Sequence, residues 1–465
     1  MVIGMARLGN QALIWVGRRQ HPIWLLIFRL VAGLQAKLAA SDFSRNVSVM
    51  LVGTVLGQAM SVLLAPALTR LYTPEQFGAL GVYMSTLNIL VVVAAVRYEI
   101  PMPTARTLVE VVNLLALSAI ALVLTTGTLA VVTTLLPRSV LVSAGVAGLD
   151  DYRLLLPVGF AFLGAYYILV YYATWAHEFG SISRTRISQG LTGPLSQIIM
   201  GLLGLGAGGL AAGFVIGQSS GTLLLFNRMV IRRAAMLREI SPRRMLKVAW
   251  QHRAFPLVSS WAGLVDMAGA GQLVYILAAV LYPGPVAGYM FIAERVVARP
   301  LQMFSTSLLT VFMAEIGKTM NSDPALLRKR FLQVTSKQLM VGAAWVLVID
   351  TAAVLTFPVV FGISWAAAVP FVLVLSIAYL INSVLASVGH TLQLLKRQKL
   401  AAIWQVSRVT AVCLGFVISV HLGLSAFHAI CIYSAIQVVA CCILFVLMRA
   451  SIDQLRPTFP VETAA

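Results

Sequence analysis

The sequence predicts an all-α polytopic membrane protein, and three observations carry the prediction. Of 465 residues, 60% are apolar and 11% charged, whereas soluble globular domains run near half apolar and a quarter charged. The apolar residues form repeated runs of about 20, the length a helix needs to cross a hydrocarbon core of roughly 30 Å. The positive charge lies almost wholly on one side of those runs.

In chain order the runs are 47–68, 77–96, 111–136, 154–176, 187–205, 210–229, 255–281, 286–312, 339–360, 366–395, 400–422 and 424–448, giving twelve candidate spans. Most end on Pro, Gly or a charged cluster, the expected stop signals. Within residues 1–45, the stretch 11–34 is apolar but broken by Arg18, Arg19 and Arg29, and it lacks a small-residue cleavage site. It reads as a cytoplasmic, interface-lying helix rather than a signal peptide or a span. Residues 46–229 then form a first six-helix bundle and 255–449 a second, around a central cavity. The basic linker 230–254 joins them on the cytoplasmic side, where its charge meets anionic lipid, and 450–465 is a cytoplasmic tail.

The halves carry a faint repeat. LYTPEQFGALGVY follows the first span and LYPGPVAGY the seventh, so Tyr72 to Gly78 and Tyr282 to Gly288 are each six apart with prolines between. A parallel repeat of two six-helix units places a substrate path between them.

The charge ledger sets the orientation. With spans alternating from a cytoplasmic N-terminus, 28 of the 34 Lys and Arg fall on the cytoplasmic side and only Arg70, Arg138 and Arg153 on the other. This is the positive-inside pattern, with both termini cytoplasmic. It also reads the net charge of +19 as topology rather than as a nucleic-acid surface. Three arginines remain inside spans: Arg295, Arg299 and Arg408. A lipid-facing charge at the midplane costs several kcal/mol or more. Arg295 lies about 15 Å into span 8, so something polar must face it. Arg299 follows one turn later on the same face. Asp266, at matching depth on span 7, is the expected salt-bridge partner; Glu294 projects about 100° away from Arg295 and is the poorer one.

Enzyme chemistry finds little support. No phosphate loop, H-E-x-x-H or G-x-S-x-G stretch occurs, and the six His are scattered. Cys413, Cys431, Cys441 and Cys442 all fall in the last two spans as small core residues. No cofactor and no metal is expected. The short outer loops (69–76, 137–153, 206–209, 282–285, 361–365 and around Gly423) argue against a membrane-embedded glycosyltransferase or polymerase.

The stretch NVSVMLVGTVLGQAMSVLLAPALTRLYTPEQFG, the RYEIP after span 2, the AERVVARPLQ of span 8 and the LKRQK after span 10 resemble polysaccharide-transporter-type flippases. These belong to the multidrug/oligosaccharidyl-lipid/polysaccharide exporter superfamily. The resemblance covers roughly 45–450, and its order across the spans is more specific than any one motif. The A-E-R-x4-P of Ala293, Glu294, Arg295 and Pro300 also resembles lipid II flippases, a sister branch.

The resemblance implies an undecaprenyl-diphosphate-linked oligosaccharide as substrate and membrane lipids as surroundings. It further implies a polysaccharide polymerase and a chain-length regulator as partners, a bacterial inner-membrane location and alternating access. A diphosphate needs a wet cationic cavity, and Arg grips phosphate with paired hydrogen bonds. Arg295 and Arg299 are then the first candidates for it, and Arg408 the third. The resemblance adds Arg70 and Arg97, since arginines at matching places line the cavity of lipid II flippases. Glu99 and Asp350, with Asp266 and Glu294, are candidates for gating or ion coupling. Tyr167 and Tyr171 on span 4 are candidates for stacking on sugar rings. A lipid II-type flippase and a drug or cation exporter of the same superfamily are the alternatives; the exporter calls for an acidic cavity.

Overall fold

The computed structural model describes residues 42–135, 154–319 and 324–455. The readings of most of 1–45, of the outer loop 137–153 and of the last ten residues of the tail lie outside these. Among the described residues every regular element is helical.

Among the described residues, nine helices are long and apolar enough to cross a membrane. They are span 1 (Val52–Leu71), span 2 (Pro74–Val93), span 3 (Leu108–Leu135), span 4 (Leu155–Trp175) and span 6 (Gly206–Met229). Span 9 (Pro324–Phe361), span 10 (Ile363–Leu394), span 11 (Gln398–His421) and span 12 (Ala426–Asp453) complete them. Apolar side chains such as Val123, Leu124, Leu347 and Leu355 are exposed on their outer faces, as a lipid solvent requires.

The other three spans are too polar or too broken to qualify by composition alone. Span 5 is the continuous helix Phe179–Leu202, which starts eight residues before the expected run and so draws Arg184 and Arg186 into the helix. Span 7 runs through Ser260–Met267 and Leu273–Leu281, separated by a wide turn at Ala268–Gln272 in which Gly271 sits at φ +97°. Only glycine adopts that backbone freely, so the helix breaks there. Span 8 comprises Val286–Ala293 and Arg299–Thr319 joined by a π-helical turn at Glu294–Ala298. One residue is thereby inserted into the α-helical register, a feature frequent at functional sites.

Spans 5 and 6 pack along each other and span 1 packs on span 5, while spans 9, 10, 11 and 12 form the second group. The groups meet where span 2 lies against spans 7 and 8. There the two repeat-related glycines touch: a Cβ on Gly288 would sit 1.8 Å from the Pro74 carbonyl oxygen, and one on Gly78 3.1 Å from the Gly288 nitrogen. Backbone contacts this close need small residues. Two further bonds join the halves at the same end. Trp365 Nε1 donates to the Thr69 carbonyl at 3.0 Å, and Arg70 donates to the Val359 carbonyl at 3.1 Å. These contacts seal the halves against each other at the end that the charge ledger predicts to face the exterior.

Candidate functional site

Below that seal lies a cavity of about 230 Å³ between spans 1, 5, 6 and 8, with Leu80 and Met84 of span 2 also in its lining. Each span contributes one helical face. Span 1 brings Thr54, Gly57, Gln58 and Ser61, spaced i, i+3, i+4, i+7. Span 5 brings Arg186, Gln189, Gly190, Gly193 and Gln197 on the same rule, and span 6 adds Phe214, Gly217 and Gln218. Span 8 closes the fourth side with Phe291, Glu294, Arg295 and Arg299. Space of this size holds several waters, which is what a charged group at membrane depth requires.

The cations are held differently from one another. Arg295 donates to Ser61 Oγ at 2.7 Å, spanning the cavity from the second half to the first. Arg299 pairs with Glu294 instead, Nη2 to Oε1 at 2.9 Å and Nε to Oε1 at 3.0 Å. In an α-helix residues five apart diverge by about 140°; the π turn between them returns them to one face. Glu294 also accepts from the Tyr275 hydroxyl of span 7. The carboxylate is thus tied down, while Arg299 remains 37% exposed to the cavity.

The expected pairing of Arg295 with Asp266 is corrected by the geometry. Asp266 is exposed and accepts from the Gln405 amide at 3.4 Å, and among the described residues it makes no ion pair with Arg295. Span 7 packs against both span 2 and span 11, and Asp266 meets Gln405 of span 11 rather than span 8.

Of the remaining predicted residues, none lines this cavity. Arg408 is buried in the second half, donating to the Gly269 carbonyl freed by the break in span 7 and lying 4.6 Å over the Trp404 ring. Arg70 is used in the exterior seal. Asp350 accepts from Ser376 Oγ at 2.8 Å, between spans 9 and 10. Tyr167 is 38% exposed with its ring edge-on to Tyr166, away from the cavity. Tyr171 is near Arg97 and Glu99 at the cytoplasmic end of span 2.

At that end Arg97 sits at φ +65°, and its guanidinium lies directly on Gly263 of span 7, where a Cβ would be 1.6 Å from Nη2. Glu99 is only 6% exposed, and its Oε2 has no partner among the described residues. Burial holds this carboxyl above the usual carboxylate range, against the opposing pull of its own backbone N–H and of Arg97.

Arg186 is the cavity cation that sequence reasoning missed. It had been counted among the cytoplasmic loop charges; here its guanidinium lies 5.2 Å over the Tyr166 ring at the cavity wall. Its signal was the i, i+3, i+4, i+7, i+11 file of Arg, Gln and Gly in span 5, a polar helix face where lipid-facing residues would be apolar.

No protein-family model matches the sequence, and no curated protein sequence does. Solved structures do match in fold. The lipid II flippase MurJ in an inward closed conformation has a TM-score of 0.59 at 13% identity, over 86% of this chain and 87% of that one. An outward-facing multidrug resistance MATE family transporter of the MOP superfamily gives 0.56 at 15%, over 92% and 99%. An inward-facing one gives 0.54 at 14%, over 88% and 100%. The chain is a multi-pass membrane protein that shares its fold with the MATE transporters and with the lipid II flippase MurJ.

Proposed function

We propose that this chain is a flippase that carries undecaprenyl-diphosphate-linked oligosaccharide repeat units across the bacterial inner membrane for surface polysaccharide biosynthesis. The observation that carries the reading is the cavity's charge. Three guanidiniums, Arg186, Arg295 and Arg299, face one carboxylate, Glu294, and that carboxylate is already paired. Such a cavity suits an anionic head group and repels a cationic drug. Arg295 and Arg299 bind the diphosphate, and the polyprenyl tail stays in lipid, so only the head group needs the wet path.

The seal of Gly78 on Gly288 is then the exterior gate, and transport opens it while closing the cytoplasmic side. Polymerase and chain-length regulator act on the product outside.

Arg295→Glu tests the reading. In the native host it should abolish surface polysaccharide while membrane levels of the protein stay at wild type. Normal polysaccharide in that variant removes Arg295 from the mechanism. The alternative reading, a drug exporter, has one observation in its favour: Glu294 within the cavity. Drug resistance lost in a Glu294→Gln variant whose polysaccharide is normal would decide for it.

A further inference from the structure

The cavity has two chemically distinct walls. Span 8 supplies charge; spans 1, 5 and 6 supply carboxamides and hydroxyls, with the cation of Arg186 drawn aside over Tyr166. The geometry points to the neutral wall as a sugar subsite: Gln58, Gln189 and Gln218 receive the uncharged pyranose ring joined directly to the diphosphate. This rests on the flippase reading for the diphosphate itself.

The argument is one of donors and acceptors. An ionised diphosphate offers acceptors only, so it uses N–H groups and has no use for carbonyl oxygens. The neutral wall nevertheless presents carbonyl oxygens with nothing to accept from. Gln58 Oε1 is buried without a partner among the described residues. The Gln189 amide donates to Gln218 Oε1 at 3.1 Å, which commits one end of each side chain and leaves Gln189 Oε1 and the Gln218 amide nitrogen for a ligand. A sugar ring supplies what these groups lack, since each hydroxyl both donates and accepts and an acetamido group does the same.

The backbone packing looks built to bring these amides together. A Cβ on Gly190 would lie 2.2 Å from the Gly57 carbonyl oxygen, and one on Gly217 2.7 Å from the Gly193 Cα. Spans 1, 5 and 6 therefore touch through glycine, and Gln58, Gln189 and Gln218, each adjacent in sequence to one of those glycines, converge on one patch. A wall meant only to be wet would not need that convergence. Ser61 stands at the junction of the walls, since it is both beside Gln58 on span 1 and bonded to Arg295. A sugar on the amides would thus have its anomeric phosphate at the arginines.

The test measures binding by the purified chain in lipid nanodiscs to two probes, undecaprenyl diphosphate and undecaprenyl diphosphate bearing one N-acetylglucosamine. The wild type should bind the sugar-bearing probe about tenfold more tightly, the worth of two hydrogen bonds. Gln58→Leu/Gln218→Leu should reduce that ratio to about one. Because the ratio is the readout, a variant that merely folds poorly lowers both affinities and keeps it. A ratio kept in the variant, or a wild type that does not distinguish the probes, overturns the sugar subsite. Arg295→Ala reports separately on the diphosphate reading: it should weaken both probes together, and unchanged binding of the bare probe would overturn that reading instead.

Discussion

Arg295 bonds to a serine of the opposite half, whereas Arg299, four residues on, is neutralised by Glu294. The two cations therefore have different work. Removing the carboxylate frees the second guanidinium without touching the first, so Glu294→Gln should tighten binding of undecaprenyl diphosphate about tenfold, as one charge-assisted contact is worth. A titration of purified variant against wild type measures it. Glu99 makes a separate prediction. A carboxyl whose folded value is raised above its unfolded one favours the folded state while protonated and costs stability as pH rises through the raised value. Glu99→Gln should leave the melting temperature unchanged below about pH 4, where the unfolded carboxyl is also protonated. It should raise that temperature at neutral pH. Coincident melting curves at both pH values would mean that the buried carboxylate carries no such cost.

Among elements, spans 2 and 8 form the exterior seal and span 8 also forms the cationic wall. A side chain at Gly288 cannot fit against Pro74, so Gly288→Val should hold the exterior open. With Met84→Cys as a reporter in the cavity and the native cysteines replaced, an impermeant maleimide should label the valine variant from outside several-fold faster than its glycine parent. Equal rates would show that the seal lies elsewhere. The six-residue Tyr–Gly spacing after spans 1 and 7 was legible in the sequence, and so was the placing of Arg295 and Arg299 within span 8. The role of Glu294 was not. Its pairing with Arg299 depends on a π turn that no local sequence rule marks, while the α period rightly sets it apart from Arg295. Asp266 shows a related limit: similar depth along two spans does not fix which neighbour a side chain meets, and this one meets Gln405 of span 11. Arg186 was hidden because its charge agreed with the topology rule and invited no second explanation.

For the whole molecule the legible part was large, because burial in lipid leaves the backbone few choices: each span must satisfy its own hydrogen bonds, so length and apolarity nearly determine the fold. The orientation follows from charge and is directly testable. In the same cysteine-free background, Pro283→Cys should react with an impermeant maleimide in intact cells, and Ala235→Cys only after permeabilisation. The reverse labelling would invert the molecule and put the contact of Gly78 with Gly288 on the cytoplasmic face.

Among the described residues, spans 5, 7 and 8 are too polar or too broken to pass the test of length and apolarity that nine others pass, and the two that wall the cavity, 5 and 8, carry charges within them. The same polarity bears on how the chain is made. A segment carrying Arg184, Arg186 and a run of Ser and Gln gains little by leaving the translocon for lipid on its own. Span 5 should therefore be retained until span 6, the helix it packs against, emerges to shield its polar face. In a glycosylation-mapped insertion assay, span 5 alone should insert poorly and span 5 followed by span 6 well, so that the residues walling the cavity also set the order of biogenesis.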